Sequence, residues 1–401
     1  MSKEPRRAGR HFLQITGPTP VPERIMAAMS RQILDHRGVE FQKLGHRVLS
    51  GVKSLFKTKN HVIIFPASGT GAWEAALTNT LSPGDKVLMC ETGQFAVLWA
   101  VMAQRLGLNA DVIPTDWRIA ADAALIHDRL KQDKAHEIKA VCVVHNETST
   151  GCRSRIDDVR KALDATKHPA LLMVDTISSL ACTDLRHDEW GIDVTISGSQ
   201  KGMMLPPGLS FTAVSDKALA ATKTAKLPRS YFSWDDMLAN NANGFFPYTP
   251  ATGLLYGLAE AIDMINEEGL ENVFTRHERL AEATRRAVNG WGLDIQCRDP
   301  KYYSPAVTAV IMPEGHNADA FRKLVLDTFN MSLGTGLNKI AGKVFRIGHL
   351  GDTNELTVMG ALTGVEMGLD IAGVPHKKGG VAAAMSYLAE TVKSEKMAAA
   401  E

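Results

Sequence analysis

The chain has 401 residues, of which 45% are hydrophobic, enough for one large or two ordinary buried cores, which excludes a disordered protein. Lys plus Arg number 45 and Asp plus Glu 44, a formal charge of +1, so nothing points to capture of nucleic acid or an anionic membrane and a small-molecule partner is expected. No apolar run approaches the roughly 18 residues of a membrane span, MSKEPRRAGRHF lacks a signal-peptide core and KSEKMAAAE is no peroxisomal address, so a soluble, cytoplasmic protein is expected.

In chain order, Phe41, Leu44, Val48, Val52 and Leu55 recur at helical spacing, and from about residue 61 short apolar runs alternate with amphipathic stretches. The expected buried strands are 61–65, 86–90, 110–113, 140–144, 170–174, 193–197 and 209–214. Between several of them lie helices, one carrying Phe95, Leu98, Trp99, Met102 and Leu106, another Ile156, Val159 and Leu163. Strands apolar on both faces and separated by helices predict an α/β fold with a mostly parallel sheet covered on both sides. A long helical region over 252–290 follows, then a strand at 306–312, a helix near 317–328 and a strand at 344–348, which predict a smaller α+β domain. A boundary is expected within 265–295, giving an N-terminal segment of residues 1–22, a large domain of 23–275 and a small one of 276–401. The five cysteines, Cys90, Cys142, Cys152, Cys182 and Cys297, are few, odd in number and far apart, so they read as buried thiols and no metal site is expected.

Three segments carry chemistry. In FPASGTGAWEAAL a strand ends at Phe65, and Ser68, Gly69 and Thr70 open a helix whose N–H groups can converge on a phosphate. Glu74 stands where a dinucleotide fingerprint has its third glycine, the Gly-Lys-Ser/Thr ending of a P-loop is missing, and taken alone the segment equally suits an ordinary helix cap. In ALLMVDTISS, Asp175 ends an apolar strand, at the edge where open α/β sheets place ligands, and as a buried carboxylate it requires a cation. In DVTISGSQKGMMLPPG another apolar strand runs into Gln200 and Lys201, one crossover later at the same edge. A capping aspartate and a surface lysine are the plainer readings of each segment in isolation.

Together, an anion cradle, a strand-end carboxylate and a strand-end amine match the demands of pyridoxal 5'-phosphate. An ordinary lysine is neutral in only about one molecule in 2,500 at pH 7, so holding the aldehyde in advance removes a kinetic handicap. Raising the ring nitrogen's pKa by about two takes ~2.7 kcal/mol, within the ~4 kcal/mol of a close ion pair at an effective dielectric near 20.

The runs SGTGAWE, HNETSTG, VDTISS and SGSQKG, in this order and at these separations, resemble the class V pyridoxal-phosphate aminotransferases over nearly the whole chain, most of all the serine-glyoxylate and alanine-glyoxylate branch. The resemblance implies fold type I, with a seven-stranded large domain, and a ping-pong transfer of the amino group of a small L-amino acid, best L-serine, to glyoxylate. Alanine or aspartate are the alternative donors. It implies that Lys201 holds the cofactor and shuttles the proton, that Asp175 partners the ring nitrogen, and that Ser68, Gly69, Thr70 and Gln200 bind phosphate. Trp99 resembles the aromatic residue stacked on the ring, although periodicity alone makes it a core residue, and Thr148 resembles the hydroxyl beside the ring oxygen. His145 and Glu147 lack metal-ligand spacing and read as structural.

Family members are homodimers in which a Tyr and a Thr cross to the neighbouring subunit's phosphate. GFFPYTPAT retains Thr249 but has Phe246 at the tyrosine position, so either Tyr248 substitutes or one contact is lost. KVFRIGHLG resembles the substrate clamp, with Arg346 holding the α-carboxylate through a bidentate fork. TGPTPVP resembles the opening that lines the active-site mouth, and DHRGVEF keeps His36, Arg37, Glu40 and Phe41 of the serine-glyoxylate pattern but has Gly38-Val39, which bears on donor choice. A cysteine desulfurase is disfavoured because no cysteine follows Cys297, a nicotinamide oxidoreductase by the GTGAWE departure, and a non-catalytic binding module by the presence of Lys201.

Overall fold

The computed structural model describes residues 8–398, so the readings of the two chain ends fall partly outside the described residues. All seven expected strands form one sheet, in the order His61–Phe65, Ser210–Val214, Val194–Gly198, Leu171–Asp175, Ile138–Val144, Lys86–Glu91, Asn109–Pro114. Ser210–Val214 runs antiparallel to both neighbours, and the remaining pairs are parallel.

Alternation along the strands divides the core into two layers. Val62, Ile64, Val141, Val143, Leu172 and Val174 face one side, where the helix Val39–Leu55 buries Phe41, Leu44, Val48 and Val52. Ile63, Phe65, Val87, Met89, Cys142 and Met173 face the other, against the helices Gly69–Thr80 and Gln94–Arg105. The parallel strands end together at one edge, which gathers the segments after Phe65, Glu91, Val144, Asp175 and Gly198.

The expected helical region is two helices, Thr252–Glu268 and Leu270–Gly290, broken at Gly269 with φ +86°. The second spans both cores: Val273 packs with the large sheet, whereas Leu280, Ala283 and Ala287 pack with the C-terminal cluster. A division after residue 275, inside this helix, remains our proposal. The small sheet has four strands, Phe12–Gln14, Met331–Thr335, Val344–Gly348 and Val307–Ile311. Two of these were not expected. Phe12–Gln14 pairs in parallel with Met331–Leu333, so the N-terminal segment is partly an edge strand of the small domain. In the strand Met331–Thr335, Gly334 lies opposite Arg346, and a methyl there would press on the arginine Cβ at 2.9 Å. All five cysteines are free and buried.

Gly45, inside the helix Val39–Leu55, marks the closest approach of that helix to the segment ahead of Thr249, since a methyl at Gly45 would run into the Gly244 carbonyl oxygen. Gly45→Ala is therefore expected to destabilise the protein by about 1–3 kcal/mol through overpacking, against the ~1 kcal/mol that alanine gains in helix propensity. A thermal melt would show a lowered midpoint; an unchanged or raised one would contradict the packing described.

Candidate active site

The helix Gly69–Thr80 opens immediately beyond the first strand, and Ser68 occupies its N-cap with extended backbone but without a side-chain capping bond. The Gly71 N–H is taken by the Ser68 carbonyl at 2.9 Å, which leaves the N–H groups of Gly69 and Thr70 and the Ser68 hydroxyl without a protein acceptor among the described residues, on residues that line the cavity. Gly69 has no space for a side chain, since a methyl would collide with Ile177 on the opposite wall. Gln200 lines the same end of the cavity, and its buried Oε1 has no protein partner. The open donors of the helix end suit a phosphate, and Gln200 can add to them only through its NH2, since its Oε1 accepts and would face the anion's own acceptors.

Asp175 ends the strand Leu171–Asp175 and is 3% exposed. Its Oδ1 accepts the Ile177 N–H at 2.7 Å and its Oδ2 accepts the indole N–H of Trp73 at 3.0 Å. Burial pushes its pKa up to about 7, as does facing Glu147, while those two donors and the charge of Lys201 act the other way. A cation at the cavity would complete its pairing, as a protonated pyridine nitrogen does.

Lys201 follows the strand Val194–Gly198 and is 8% exposed. Its Nζ donates to the Thr16 carbonyl at 2.6 Å, with Gly17 O at 3.4 Å, so the N-terminal segment lies directly on the amine. Burial and the facing Arg346 charge push its pKa down to about 8, against the pull of Asp175. Such an amine is neutral in about one molecule in ten at pH 7, a large gain in nucleophile over a free lysine.

Arg346 is held from the small domain, its Nε donating to Thr335 O and its Nη1 to Thr148 O, both at 2.7 Å. Nη2 has no protein acceptor among the described residues. Burial lowers its pKa to about 10, with Glu147 opposing the shift. With Nε already used, the Nη1–Nη2 edge is what remains for a carboxylate. Thr148 Oγ1 donates to Ser178 Oγ at 2.7 Å, which in turn donates to Asn146 O.

Ser68, Gly69, Thr70, Thr148, Asp175, Gln200 and Lys201 thus line one cavity. Trp99 does not. It is buried, stacked on Trp73 with centroids 5.7 Å apart and planes 13° apart, and the aromatic side chain of its helix that reaches the cavity is Phe95, one turn earlier. The two share a helix face, and only position along the axis separates them. Thr249 is exposed and outside the lining of this chain's cavity. Tyr248 stacks on Tyr231 and donates its hydroxyl to the Tyr231 carbonyl at 2.9 Å, while Phe246 packs edge-on against Phe41. Trp73, Phe95 and Asn146 are cavity residues given no role from the motifs, although Trp73 and Asn146 lie within SGTGAWE and HNETSTG and Phe95 belongs to the helix noted for its apolar face. No cluster of three metal-ligating side chains occurs among the described residues.

Glu147 is fully buried and serves the helix Gln94–Arg105 from outside. It accepts from the N–H groups of Ala96 at 3.2 Å and Ser149 at 3.1 Å and from the Ser149 hydroxyl at 2.6 Å, and Ser149 Oγ accepts the Gln94 N–H. Gly93 makes this approach possible, because a methyl there would strike both Glu147 and Ser149.

Residues 11–341 match the model of the aminotransferase class-V family. The chain is 51% identical to a serine–glyoxylate aminotransferase of Methylorubrum extorquens, over 96% of this chain and 98% of that one. It is 46% identical to an L-aspartate–glyoxylate aminotransferase of Paracoccus denitrificans, over 96% and 98%. The crystal structure of a pyridoxamine–pyruvate aminotransferase from Mesorhizobium loti superposes with a TM-score of 0.90 at 28% identity, covering 96% of this chain and 99% of that one. A phosphate cradle, a buried strand-end carboxylate and a buried amine of lowered pKa around one cavity accord with these likenesses, and the chain belongs to the class-V aminotransferases, with pyridoxal 5'-phosphate as its cofactor.

Proposed function

We propose that the protein transfers the amino group of L-serine to glyoxylate, giving hydroxypyruvate and glycine. The observation that carries the reading is the convergence of Lys201, Asp175 and the Ser68–Thr70 turn on one cavity, beside an Arg346 whose Nη2 is free for a substrate carboxylate. The likeness to serine–glyoxylate aminotransferases at about half identity supports serine over the alternatives, aspartate and alanine.

In this reading Ser68, Gly69, Thr70 and Gln200 would hold the phosphate, and Thr148 and Phe95, the latter in place of Trp99, would contact the rest of the cofactor. When bound, the cofactor supplies an aldehyde to take up the donor's amine and a ring that accepts electrons from its α-carbon. Lys201 would take up and pass on the proton of the donor's α-carbon, a task suited to an amine whose pKa lies near neutrality. Asp175 keeps its negative charge against the ring nitrogen, and Arg346 fixes each carboxylate in turn, so that donor and acceptor occupy one place alternately. The N-terminal segment over Lys201 lines the mouth and limits water.

The protein is proposed to work as a homodimer in the cytoplasm, with Thr249 of each subunit reaching the other's phosphate. The Tyr248 hydroxyl donates to the Tyr231 carbonyl within its own chain, which supports loss of the family's tyrosine contact over its replacement by Tyr248. No helix among the described residues is long and apolar enough to cross a membrane.

Two measurements test this. With glyoxylate fixed and glycine formation followed, serine is expected to give the highest kcat/KM, with aspartate and alanine lower by about 10- to 200-fold, the range set by one or two pocket contacts. A larger value for either overturns the donor. In the cofactor-free protein, acetylation of Lys201 is expected to rise with a midpoint near pH 8, well below that of exposed lysines, because its amine loses its proton earlier. A midpoint near 10.5 would remove the argument for a nucleophile tuned by burial.

A further inference from the structure

We infer that Trp73 is a positioning residue, its indole N–H holding the Asp175 carboxylate in the orientation that receives the cofactor's ring nitrogen. The inference rests on the cofactor assignment and adds a residue to it.

Asp175 is buried, and no ion pair to it is found among the described residues; its two oxygens are met by one neutral donor each. One donor is the Ile177 backbone N–H, which any residue at that position would offer. The other is a side chain, and it comes from the helix Gly69–Thr80, one turn beyond the Ser68–Thr70 cradle. A single helix end therefore addresses both ends of the cofactor: its first turn meets the phosphate and its second holds the carboxylate for the ring. The indole is itself kept from rotating by the stacked Trp99 ring.

The two stacked indoles are chemically unequal. Trp73 Nε1 is bonded to Asp175, whereas Trp99 Nε1 is buried without a partner. Replacing Trp99 by phenylalanine removes an unsatisfied group and keeps a ring in the stack. Replacing Trp73 by phenylalanine keeps a ring but leaves Asp175 Oδ2 without its donor, and losing a hydrogen bond to a buried charge is the costlier change. The charged groups facing Asp175 are Glu147 and Lys201, neither of which is altered. Without the Trp73 N–H the carboxyl takes up a proton at higher pH, and a neutral carboxyl no longer pairs with a positive ring nitrogen.

The test compares wild type, Trp73→Phe, Trp73→Leu and Trp99→Phe as cofactor-free proteins titrated with pyridoxal 5'-phosphate across pH 5.5–9 (about half a unit per step), binding being read by quenching of the remaining tryptophan fluorescence. Both Trp73 variants should bind about tenfold or more weakly at neutral pH, and their loss of affinity on the acid side should begin at higher pH than in wild type. Trp99→Phe should match wild type in both respects. Trp73→Leu serves if the phenylalanine variant does not fold. Trp73 variants that match Trp99→Phe in affinity and in the acid limb overturn the inference. Failure of borohydride to fix the vitamer on Lys201 in wild type would instead overturn the cofactor assignment, so the two failures are distinguishable.

Discussion

Asp175 and Lys201 line the cavity, Arg346 and Glu147 lie buried behind its wall through their bonds to the segment Asn146–Ser149, and none of the four is in an ion pair with another protein group among the described residues. Each is held by neutral donors or acceptors: backbone carbonyls for Lys201 and Arg346, N–H groups for Asp175 and Glu147. An unpaired buried charge costs several kcal/mol, and placing opposite charges in direct contact would recover much of it. The fold instead keeps them apart and supports each with dipoles: Glu147 is spent on the helix Gln94–Arg105, while Asp175, Lys201 and Arg346 stay available to a ligand that brings a ring cation, an aldehyde and a carboxylate.

The same logic separates two helix ends that reach this edge of the sheet. The helix Gln94–Arg105 is closed by the protein itself, its N–H groups taken by Glu147 and the Ser149 hydroxyl. The helix Gly69–Thr80 has a capping residue, Ser68, that makes no cap. One positive helix end is satisfied internally and the other is left to an anion, so the phosphate has a single address. The segment Asn146–Ser149 serves both sides of this division. Glu147 and Ser149 turn to the closed helix, while Thr148 faces the cavity and its carbonyl steadies Arg346.

Much of this was legible because it is local in sequence. The seven strands are short apolar runs between turns, and Asp175 and Lys201 stand at the ends of such runs, so one rule about strand ends brought them together. The reversed direction of Ser210–Val214 leaves no trace in a doubly apolar run. The strands Phe12–Gln14 and Met331–Thr335 are only three and five residues long, the second containing a glycine, and their pairing joins positions more than 300 residues apart. Phe95 and Trp99 share a periodicity, so pattern could not tell which one meets the ligand. The bonds from Trp73 to Asp175 and from Lys201 to Thr16 join positions 102 and 185 residues apart, and no spacing rule reaches them.

The early segment of the chain does two jobs within a few residues. Phe12–Gln14 is zipped to the edge of the small sheet, and Thr16 and Gly17, immediately after, rest on the Lys201 side chain so closely that a methyl at Gly17 would overlap it. The reactive nitrogen is thereby connected to the small sheet through a strip of backbone only two residues long, from the strand's end at Gln14 to the Lys201 contact at Thr16. Trimming the protein into this strip would strip a border from one domain and a roof from the other in a single cut.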